Sequence, residues 1–341
     1  MELEKMVALS VKHNAADLHL CSGHSPRWRR HGRLERIPDL APLTADWLER
    51  FAGRYLEPRQ RDELAAQGQT DFALSLAAGQ RLRGNLFVQR QGLSLALRTL
   101  ATHCPTLESL RLPPAVPRWL EMDNGLILVT GATGSGKSTT LAAMVDAINR
   151  QQAKHIITLE DPIEFIHQSQ RSLIQQREIG AHCASFSLGL RGALREDPDV
   201  ILLGELRDSD TIRQALTAAE TGHLVLATLH TRGAAQAVDR LVDLFPAEEK
   251  NLVRTQLAGS LKAVMAQKLV PSRDGERIGL FEVLIATPAI ASLIRDGKLH
   301  QIGALLQTGA QAGMQTFEQS LLARQREGLI ATETGEGGWS A

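Results

Sequence analysis

The stretch 125–150, GLILVTGATGSGKSTTLAAMVDAINR, decides the fold of the region around it. Its glycines and lysine match the pattern G-x-x-x-x-G-K-[ST], with an apolar run before the match and a helical pattern after it. In that context the backbone N–H groups of the loop and the positive end of the helix dipole face one point, which suits a phosphate group. The sequence therefore predicts a strand, a phosphate-binding loop and a helix in succession.

The phosphate-binding loop is the first predicted site. We expect Lys137 to reach the β- and γ-phosphate oxygens and Ser138 to ligate Mg²⁺. ATP and Mg²⁺ are therefore the predicted ligands. The loop residues predicted to contact the nucleotide are Gly131, Thr133, Gly134, Ser135, Gly136, Lys137, Ser138 and Thr139.

Changes in hydrophobic pattern divide the chain into two predicted domains. Residues 1–100 combine an amphipathic start with runs of period-two alternation, which favours a small α+β domain with an antiparallel sheet. Four prolines follow within 101–117, which we interpret as an extended linker. Over 118–330, apolar runs alternate with helical patterns, which is typical of a mostly parallel α/β sheet. The Gly-rich stretch 331–341 is predicted to be disordered. The strands predicted beyond the linker are GLILVT, HIITLE, SLIQQREI, DVILLG and LVLATLH.

Composition excludes several classes of protein. Lys plus Arg and Asp plus Glu number 38 each, and aromatic residues make up 4%, so we expect no direct binding of nucleic acid. The three cysteines lie far apart and form no Cys-x-x-Cys pair, which fits a reducing cytoplasm and neither a disulfide framework nor a zinc site. No apolar run approaches the length of a membrane span, so no transmembrane segment is expected.

Carboxylates follow two of the predicted strands. Hydrolysis of a triphosphate needs one carboxylate that positions water and a second near the metal. The segment ITLEDPIEF releases Glu160, Asp161 and Glu164 into a turn, and Glu205 follows DVILLG where P-loop enzymes keep an acidic residue. A single acidic residue after a strand is more often part of a solvated turn. Two such sites downstream of a phosphate-binding loop favour catalysis.

Two histidines and two arginines could have either a functional or a structural role. His223 and His230 flank an apolar strand whose carboxyl end is expected in the nucleotide crevice, where a histidine could sense the γ-phosphate. For His223 a structural role fits the pattern equally well. Arg83 and Arg98 lie on predicted strands of the first domain, outside the P-loop domain. Arginines from a neighbouring domain or subunit can neutralise transition-state charge, but a solvated strand face explains them as well.

Four segments together resemble the Walker A, Asp-box, Walker B and His-box set of the secretion-superfamily ATPases. They are GATGSGKSTT, ITLEDPIEF, LREDPDVILLGELRD and AAETGHLVLATLHT. The chain resembles the type IV pilus retraction ATPases in particular, because ADLHL and FPAEEKNLVRTQLAGSLKAVMAQKL also match and no four-cysteine zinc element can form. The resemblance implies a RecA-like P-loop NTPase domain, a smaller PAS-like α+β N-terminal domain, and a homo-hexamer with ATP between subunits.

The resemblance also implies roles for individual residues. Glu164 would be the catalytic carboxylate, Glu205 would stand near Mg²⁺ and the attacking water, and His223 would join the nucleotide contacts. Ser138 and Glu205 would be the Mg²⁺ ligands. The implied catalytic residues are Glu164, Glu205, Lys137, Arg83, Arg98 and His230.

The predicted function is that of a hexameric, Mg²⁺-dependent ATPase motor that converts ATP to ADP and phosphate. By the resemblance it drives domain movement against an inner-membrane platform protein, in type IV pilus retraction or a related pilus or secretion machine. We expect it in the cytoplasm or peripherally at the inner membrane. One departure motivates an alternative: the segment AIRNLIRE of the retraction family reads AIASLIRD here, with Ala291 and Ser292 in place of Arg and Asn. The alternative is a nucleotide-binding accessory or regulatory subunit with little hydrolysis of its own.

Overall fold

The computed structural model describes residues 2–15, 17–30, 33–77, 79–100 and 103–331. Of the predicted tail 331–341, all but Ala331 lies outside the described residues. The chain divides into two compact units, Met1–His103 with Pro162–Phe165 and Cys104–Asp161 with Ile166–Ala341.

The first unit is built on an antiparallel sheet of six strands in the order β3-β2-β1-β6-β5-β4. Its helices are α1 (Leu3–Lys12), α2 (Ala45–Tyr55) and α3 (Pro58–Gln67). Its strands are β1 (Asp17–Cys21), β2 (Arg27–Arg30), β3 (Arg33–Arg36), β4 (Gln69–Ser75), β5 (Arg81–Gln89) and β6 (Gly92–Thr99).

The core of the first unit lies on one face of this sheet. Strand β4 alternates buried and exposed residues, as the period-two pattern predicts, and Phe72 and Leu74 face inward. Met6 from α1 and Phe51 from α2 belong to the same buried cluster. Burial of each such side chain contributes roughly 1.5–3 kcal/mol to stability. One face of the sheet is therefore covered by the helices, while the other face stays polar.

The second unit is built on a seven-stranded sheet in the order β13-β12-β7-β11-β10-β8-β9. All neighbouring strands are parallel except β13, which runs antiparallel to β12, so the predicted mostly parallel α/β sheet is confirmed. Its strands are β7 (Gly125–Thr130), β8 (His155–Glu160), β9 (Leu173–Glu178), β10 (Val200–Leu203), β11 (Leu224–Leu229), β12 (Leu261–Pro271) and β13 (Arg277–Ile285). Its helices are α4 (Val116–Leu120), α5 (Lys137–Gln151), α6 (Phe186–Ala193), α7 (Ser209–Glu220), α8 (Ala234–Asp243), α9 (Lys250–Ser260), α10 (Pro288–Arg295), α11 (Ile302–Thr308) and α12 (Phe317–Arg326), with 3₁₀ turns at Leu299–Gln301 and Gly309–Ala312.

The central strands of the second unit are apolar along their whole length. Every residue of β7, β10 and β11 is buried, because helices cover both faces of the sheet. Parallel strands end at the same side of a sheet, so β7, β11, β10 and β8 finish together. We call this side the carboxyl edge and the side where these strands begin the amino edge.

Most of the predicted linker 101–117 lies among the described residues of the second unit. From Cys104 onward it groups with the second unit, and Leu107 and Val116 are buried in the core of that unit. Pro117 lies in the first turn of α4. A proline is tolerated there because the first N–H groups of a helix have no intrahelical acceptor, so this proline does not require extended chain.

Within the described residues, none of the helices combines the length and apolarity needed to cross a membrane.

Candidate nucleotide-binding site

The phosphate-binding loop connects β7 to α5 at the carboxyl edge. Gly134 and Gly136 have φ angles of 80° and 90°, in the left-handed region that glycine adopts without strain. A Cβ atom at Gly131 would lie 2.4 Å from the backbone oxygen of Gln267, so no side chain fits there. Gly136 precedes α5 and no side chain caps the helix. The first N–H groups of a helix have no intrahelical acceptor, and the helix dipole favours negative charge at the same point.

Lys137 is held at the mouth of this loop. It is only 8% exposed, and its Nζ donates hydrogen bonds to the carbonyl oxygens of Gly131 at 2.8 Å and Ala132 at 3.0 Å. The same Nζ lies 3.5 Å from Nδ1 of His230, which follows β11. Three groups from two strand ends thus converge on one ammonium group.

A chain of polar contacts continues from Lys137 along the carboxyl edge. Nε2 of His230 lies 3.3 Å from Oε2 of Glu205, and Nη2 of Arg207 lies 2.5 Å from Oε1 of the same carboxylate. Glu205 is buried, and the cationic group in contact with its carboxylate is the guanidinium of Arg207. Oε2 of Glu205 accepts no hydrogen bond within the described residues, so the His230 ring lies close to this oxygen without bonding to it.

Threonines tie the ends of the central strands together. The hydroxyl of Thr130, at the end of β7, donates to the carbonyl of Thr231 at 2.8 Å and accepts the Thr231 N–H at 2.9 Å. The hydroxyl of Thr228 on β11 donates to the carbonyl of Gly204 after β10. These bonds fix the loops that carry His230 and Glu205 relative to the phosphate-binding loop.

The residues at this edge fit a nucleotide with Mg²⁺. The uncapped start of α5 offers N–H donors, and the buried Oγ of Ser135 makes no hydrogen bond within the described residues. Ser138 is exposed on the first turn of α5. Across the described chain, no group of three His, Cys, Asp or Glu side chains could hold a metal by itself. Mg²⁺ keeps few protein ligands and completes its shell with phosphate oxygens and water, so a hydroxyl and one carboxylate are compatible with it.

His223 lies at the opposite side of the sheet. It precedes β11 at the amino edge, and its Nδ1 lies 3.0 Å from the carbonyl oxygen of Ala218 at the end of α7. The structure therefore does not bring His223 to the phosphate-binding loop of its own chain.

The carboxylates after β8 separate into two groups. Glu160, at the carboxyl edge, accepts hydrogen bonds from the Thr158 hydroxyl at 2.7 Å and the Gln176 amide at 3.1 Å. Glu164 is half-buried and belongs to Pro162–Phe165, the segment that groups with the first unit.

Arg83 and Arg98 are cross-strand neighbours in the first unit. The register places Asp17, Arg98 and Arg83 in one row across β1, β6 and β5. Like charges placed opposite one another destabilise a sheet. Asp17 offsets this, since its carboxylate accepts from Nε of Arg98 at 2.7 Å and from Nη2 at 3.4 Å. This hydrogen bond raises the pKa of Arg98 above its usual value, and the charge of Glu164 contributes in the same direction.

Comparison with known proteins identifies the family of a chain with this loop and edge. The model of the family described as Type II/IV secretion system protein matches residues 87–277. The Type IV pilus retractation ATPase PilT of Pseudomonas aeruginosa is 45% identical over 98% of this chain and 96% of its own length. The chain belongs to this secretion ATPase family.

Other members of the secretion ATPase family are similar along almost the whole chain. The protein YggR of Escherichia coli strain K12 is 62% identical over 97% of this chain and 100% of its own length. The crystal structure of the pilus retraction motor PilT with bound ADP aligns with a TM-score of 0.90 at 40% identity, covering 98% of this chain and 95% of that one. These relatives confirm the predicted resemblance, the RecA-like α/β fold and the ATPase class.

Two residues of the site have no role in the sequence-based predictions. Arg207 lies two positions beyond Glu205 and contacts its carboxylate. Nothing in the sequence apart from this proximity indicates that Arg207 belongs to the site. Gln267 lies on β12 and contacts the phosphate-binding loop through its side-chain amide. The sequence does contain a signal for Gln267, since it is a lone amide within the apolar run AVMAQKLV. A buried amide is expected to have a specific hydrogen-bond partner.

Proposed function

We propose that this chain is the motor subunit of a type IV pilus retraction machine or a related pilus or secretion machine, and that it hydrolyses ATP to ADP and phosphate with Mg²⁺. The observation that carries the proposal is the contact chain Lys137, His230 and Glu205 beside the phosphate-binding loop. It lines up a cation, an imidazole and a carboxylate at the point where a bound nucleotide would present its terminal phosphates. The similarity to a pilus retraction motor with bound ADP supports it.

In the proposed site, the backbone N–H groups of the loop hold the phosphates, and Lys137 neutralises their charge. The loop contacts come from Gly131, Thr133, Gly134, Ser135, Gly136, Lys137, Ser138 and Thr139. Ser138 and Glu205 would hold Mg²⁺, which supplies charge neutralisation between the phosphates. His230 orients Glu205 and Lys137 relative to one another through its two ring nitrogens.

For hydrolysis we propose Glu164 as the carboxylate that positions the attacking water. Arg83 and Arg98 would supply positive charge to the transition state from the first domain. The bidentate contact of Asp17 supports this role for Arg98, because it fixes the direction of the guanidinium group. His223 has no part in this scheme within one chain.

The proposal includes an assembly. A PAS-like domain (1–100) and a RecA-like domain (118–330) would be joined through 101–117, and six copies would form a ring with nucleotide between subunits. The motor would lie in the cytoplasm, docked peripherally on an inner-membrane platform protein whose movement it drives. The relative described as a type IV pilus retractation ATPase supports the assignment to a pilus machine.

Phosphate release by the purified protein tests the proposal. We expect turnover of ATP that requires Mg²⁺, a hexamer in native mass spectrometry, and a loss of turnover of about a hundredfold in Glu164→Gln with ADP binding retained. Glu121→Gln is the control, since this exposed carboxylate follows α4. A protein that stays monomeric with ATP and Mg²⁺ and releases no phosphate would contradict the motor function.

One observation favours the accessory subunit as a second candidate. Ala291 and Ser292 are half-buried on α10, and neither offers the cation that the retraction family has in this segment. A surface that lacks this charge would engage a different partner or none. In an accessory subunit, Glu164→Gln and Lys137→Ala would leave cellular function intact, whereas in a motor either change abolishes it.

A further inference from the structure

Gln267 is a buried amide on β12, the strand next to the one that leads into the phosphate-binding loop. We propose that Gln267 is a positioning residue that holds this loop in the shape that binds nucleotide. The inference rests on the proposed nucleotide binding and adds a specific cause for the loop geometry.

Both ends of the Gln267 amide are engaged. Its Nε2 donates to the carbonyl oxygen of Ser135 at 2.6 Å, and its Oε1 accepts the hydroxyl of Thr140 at 2.9 Å. Gln267 is 4% exposed and Thr140 is 3% exposed, so water does not compete for either bond. Ser135 lies within the loop and Thr140 lies one turn into α5, so a single side chain ties the loop to the helix that follows it.

The backbone of the loop is fitted around Gln267. Ala266 pairs with Thr130, which places Gln267 beside Gly131. A Cβ atom at Gly131 would lie 2.4 Å from the Gln267 backbone oxygen, and a Cβ atom at Gly136 would lie 3.2 Å from its Nε2. The two outer glycines of the loop therefore pass close to the backbone and the side chain of one residue.

Other hydrogen bonds within the loop are also present among the described residues. The Ser135 N–H donates to the Ala132 carbonyl at 3.1 Å, and Nζ of Lys137 donates to the Gly131 and Ala132 carbonyls. The Gln267 clamp adds a link from the loop to β12 and α5. A glycine-rich segment has many accessible conformations, and ordering it on binding costs affinity. A loop already fixed by Gln267 presents its N–H groups and Lys137 without that cost.

A purely structural role for Gln267 makes a different prediction. A glutamine that only fills the core would, when replaced, lower the unfolding temperature and leave the affinity of the folded protein for nucleotide unchanged. A positioning residue alters the affinity and the Michaelis constant for ATP even at temperatures where the variant is fully folded.

The test measures ADP affinity by calorimetry for the unchanged full chain, Gln267→Met, Thr140→Val and the pair. Gln267→Met keeps the length of the side chain and removes both hydrogen-bonding groups. We expect its ADP affinity to fall at least about fivefold, because a buried carbonyl and a hydroxyl lose their partner. Thr140→Val should weaken ADP binding about threefold, and the double variant should be weaker than Gln267→Met by less than that factor, since the two changes break one network.

Gln315→Met is the matched control. Gln315 also donates its side-chain amide to a backbone carbonyl, that of Phe281 at 2.9 Å, but it does not contact the loop. Its replacement should leave ADP affinity within twofold. If Gln267→Met and Thr140→Val are folded by circular dichroism and bind ADP as the unchanged chain does, the inference is wrong. If Gln267→Met does not fold, unchanged ADP affinity in Thr140→Val alone overturns it. Absence of ADP binding by the unchanged chain would instead overturn the proposed function.

Discussion

The two ends of β11 carry the same residue type in different surroundings. His230, at the carboxyl edge, lies between Lys137 and the buried Glu205. His223, at the amino edge, contacts the carbonyl oxygen of Ala218 and no charged side chain among the described residues. One apolar strand separates them. In a parallel sheet the end of the strand, and not the residue type, decides which side chain can meet a ligand.

The same contrast holds for other polar residues of the second unit. At the amino edge, Asp199 accepts the backbone N–H of His155 at 2.7 Å, and Lys154 lies 3.3 Å from Asp123. These contacts join chain segments where strands begin. At the carboxyl edge, Lys137 contacts the phosphate-binding loop, and Glu205 lies beside His230, which is next to Lys137. The amino edge therefore supplies matched controls for Lys137, Glu205 and His230.

The largest expected effect on ATP turnover distinguishes Lys137, at the carboxyl edge, from Lys154, at the amino edge. Lys137→Ala should reduce ATP turnover by about a thousandfold, because it removes the charge that would face the β- and γ-phosphates in the proposed site. Lys154→Ala should leave turnover within twofold. Steady-state phosphate release measures both, and equal losses in the two variants would remove the distinction between the edges.

The carboxylates at the two ends of β10 come next. Glu205→Gln should lower kcat by about a hundredfold, since a neutral amide neither attracts Mg²⁺ nor matches the neighbouring cations. Asp199→Asn keeps an acceptor for the His155 N–H and should leave kcat unchanged. Stopped assays at saturating ATP make the comparison. An active Glu205→Gln variant would show that ATP hydrolysis does not need the Glu205 carboxylate at the carboxyl edge.

The histidine pair gives a smaller effect and the sharpest contrast. His230→Gln should reduce kcat/KM about tenfold, because one side chain must satisfy Lys137 and Glu205 together and glutamine reaches only one. His223→Gln should stay within twofold of the unchanged chain. A loss in His223→Gln equal to that of His230→Gln would restore the nucleotide role that the sequence predicts for His223, through a neighbouring chain.

The smallest effect concerns stability and a third histidine. Burial lowers the pKa of His167, and the charge of Asp146 opposes this shift. The unfolded chain, with a histidine pKa of about 6.5, then binds a proton more readily than the folded one, so this group's contribution to stability is lost as the pH falls below about 6.5. His167→Gln should flatten the dependence of the unfolding free energy on pH below about 6.5 by less than about 1.4 kcal/mol per pH unit. Urea titrations at several pH values measure it, and an unaltered slope would show that His167 titrates alike in both states.

Local pattern accounts for much of the second unit. The strands β7, β10 and β11 are continuous apolar runs, because both faces of a parallel sheet are covered, and such runs are visible without knowledge of their neighbours. The phosphate-binding loop is equally local, since its glycines, lysine and serine act through backbone that is adjacent in the chain.

Strands β12 and β13 are the main elements that the sequence did not predict. Helix α9 ends at Ser260 and β12 begins at Leu261, with no intervening turn residues to mark the change. The run LKAVMAQKLVP is rich in good helix formers, so local propensity favours continuing the helix. Pairing with β7 on one side and β13 on the other makes it a strand. The same holds in the first unit, where the arginine-rich β2 pairs with β1 and β3 pairs with β2.

The sequence alone determines the phosphate-binding loop, the class of sheet, and the acidic and histidine candidates near the loop. Each of these depends on residues only a few positions apart in the chain. Strand direction and adjacency are not local properties. Had β11 run antiparallel to β7, His223 would lie beside the loop and His230 far from it. The observed parallel pairing places His230 beside Glu205. Strand β12 brings Gln267 against Gly131 and into contact with Ser135, which lies 132 positions earlier in the chain. Such pairings are chosen by the free energy of packing the whole core, which no single segment contains.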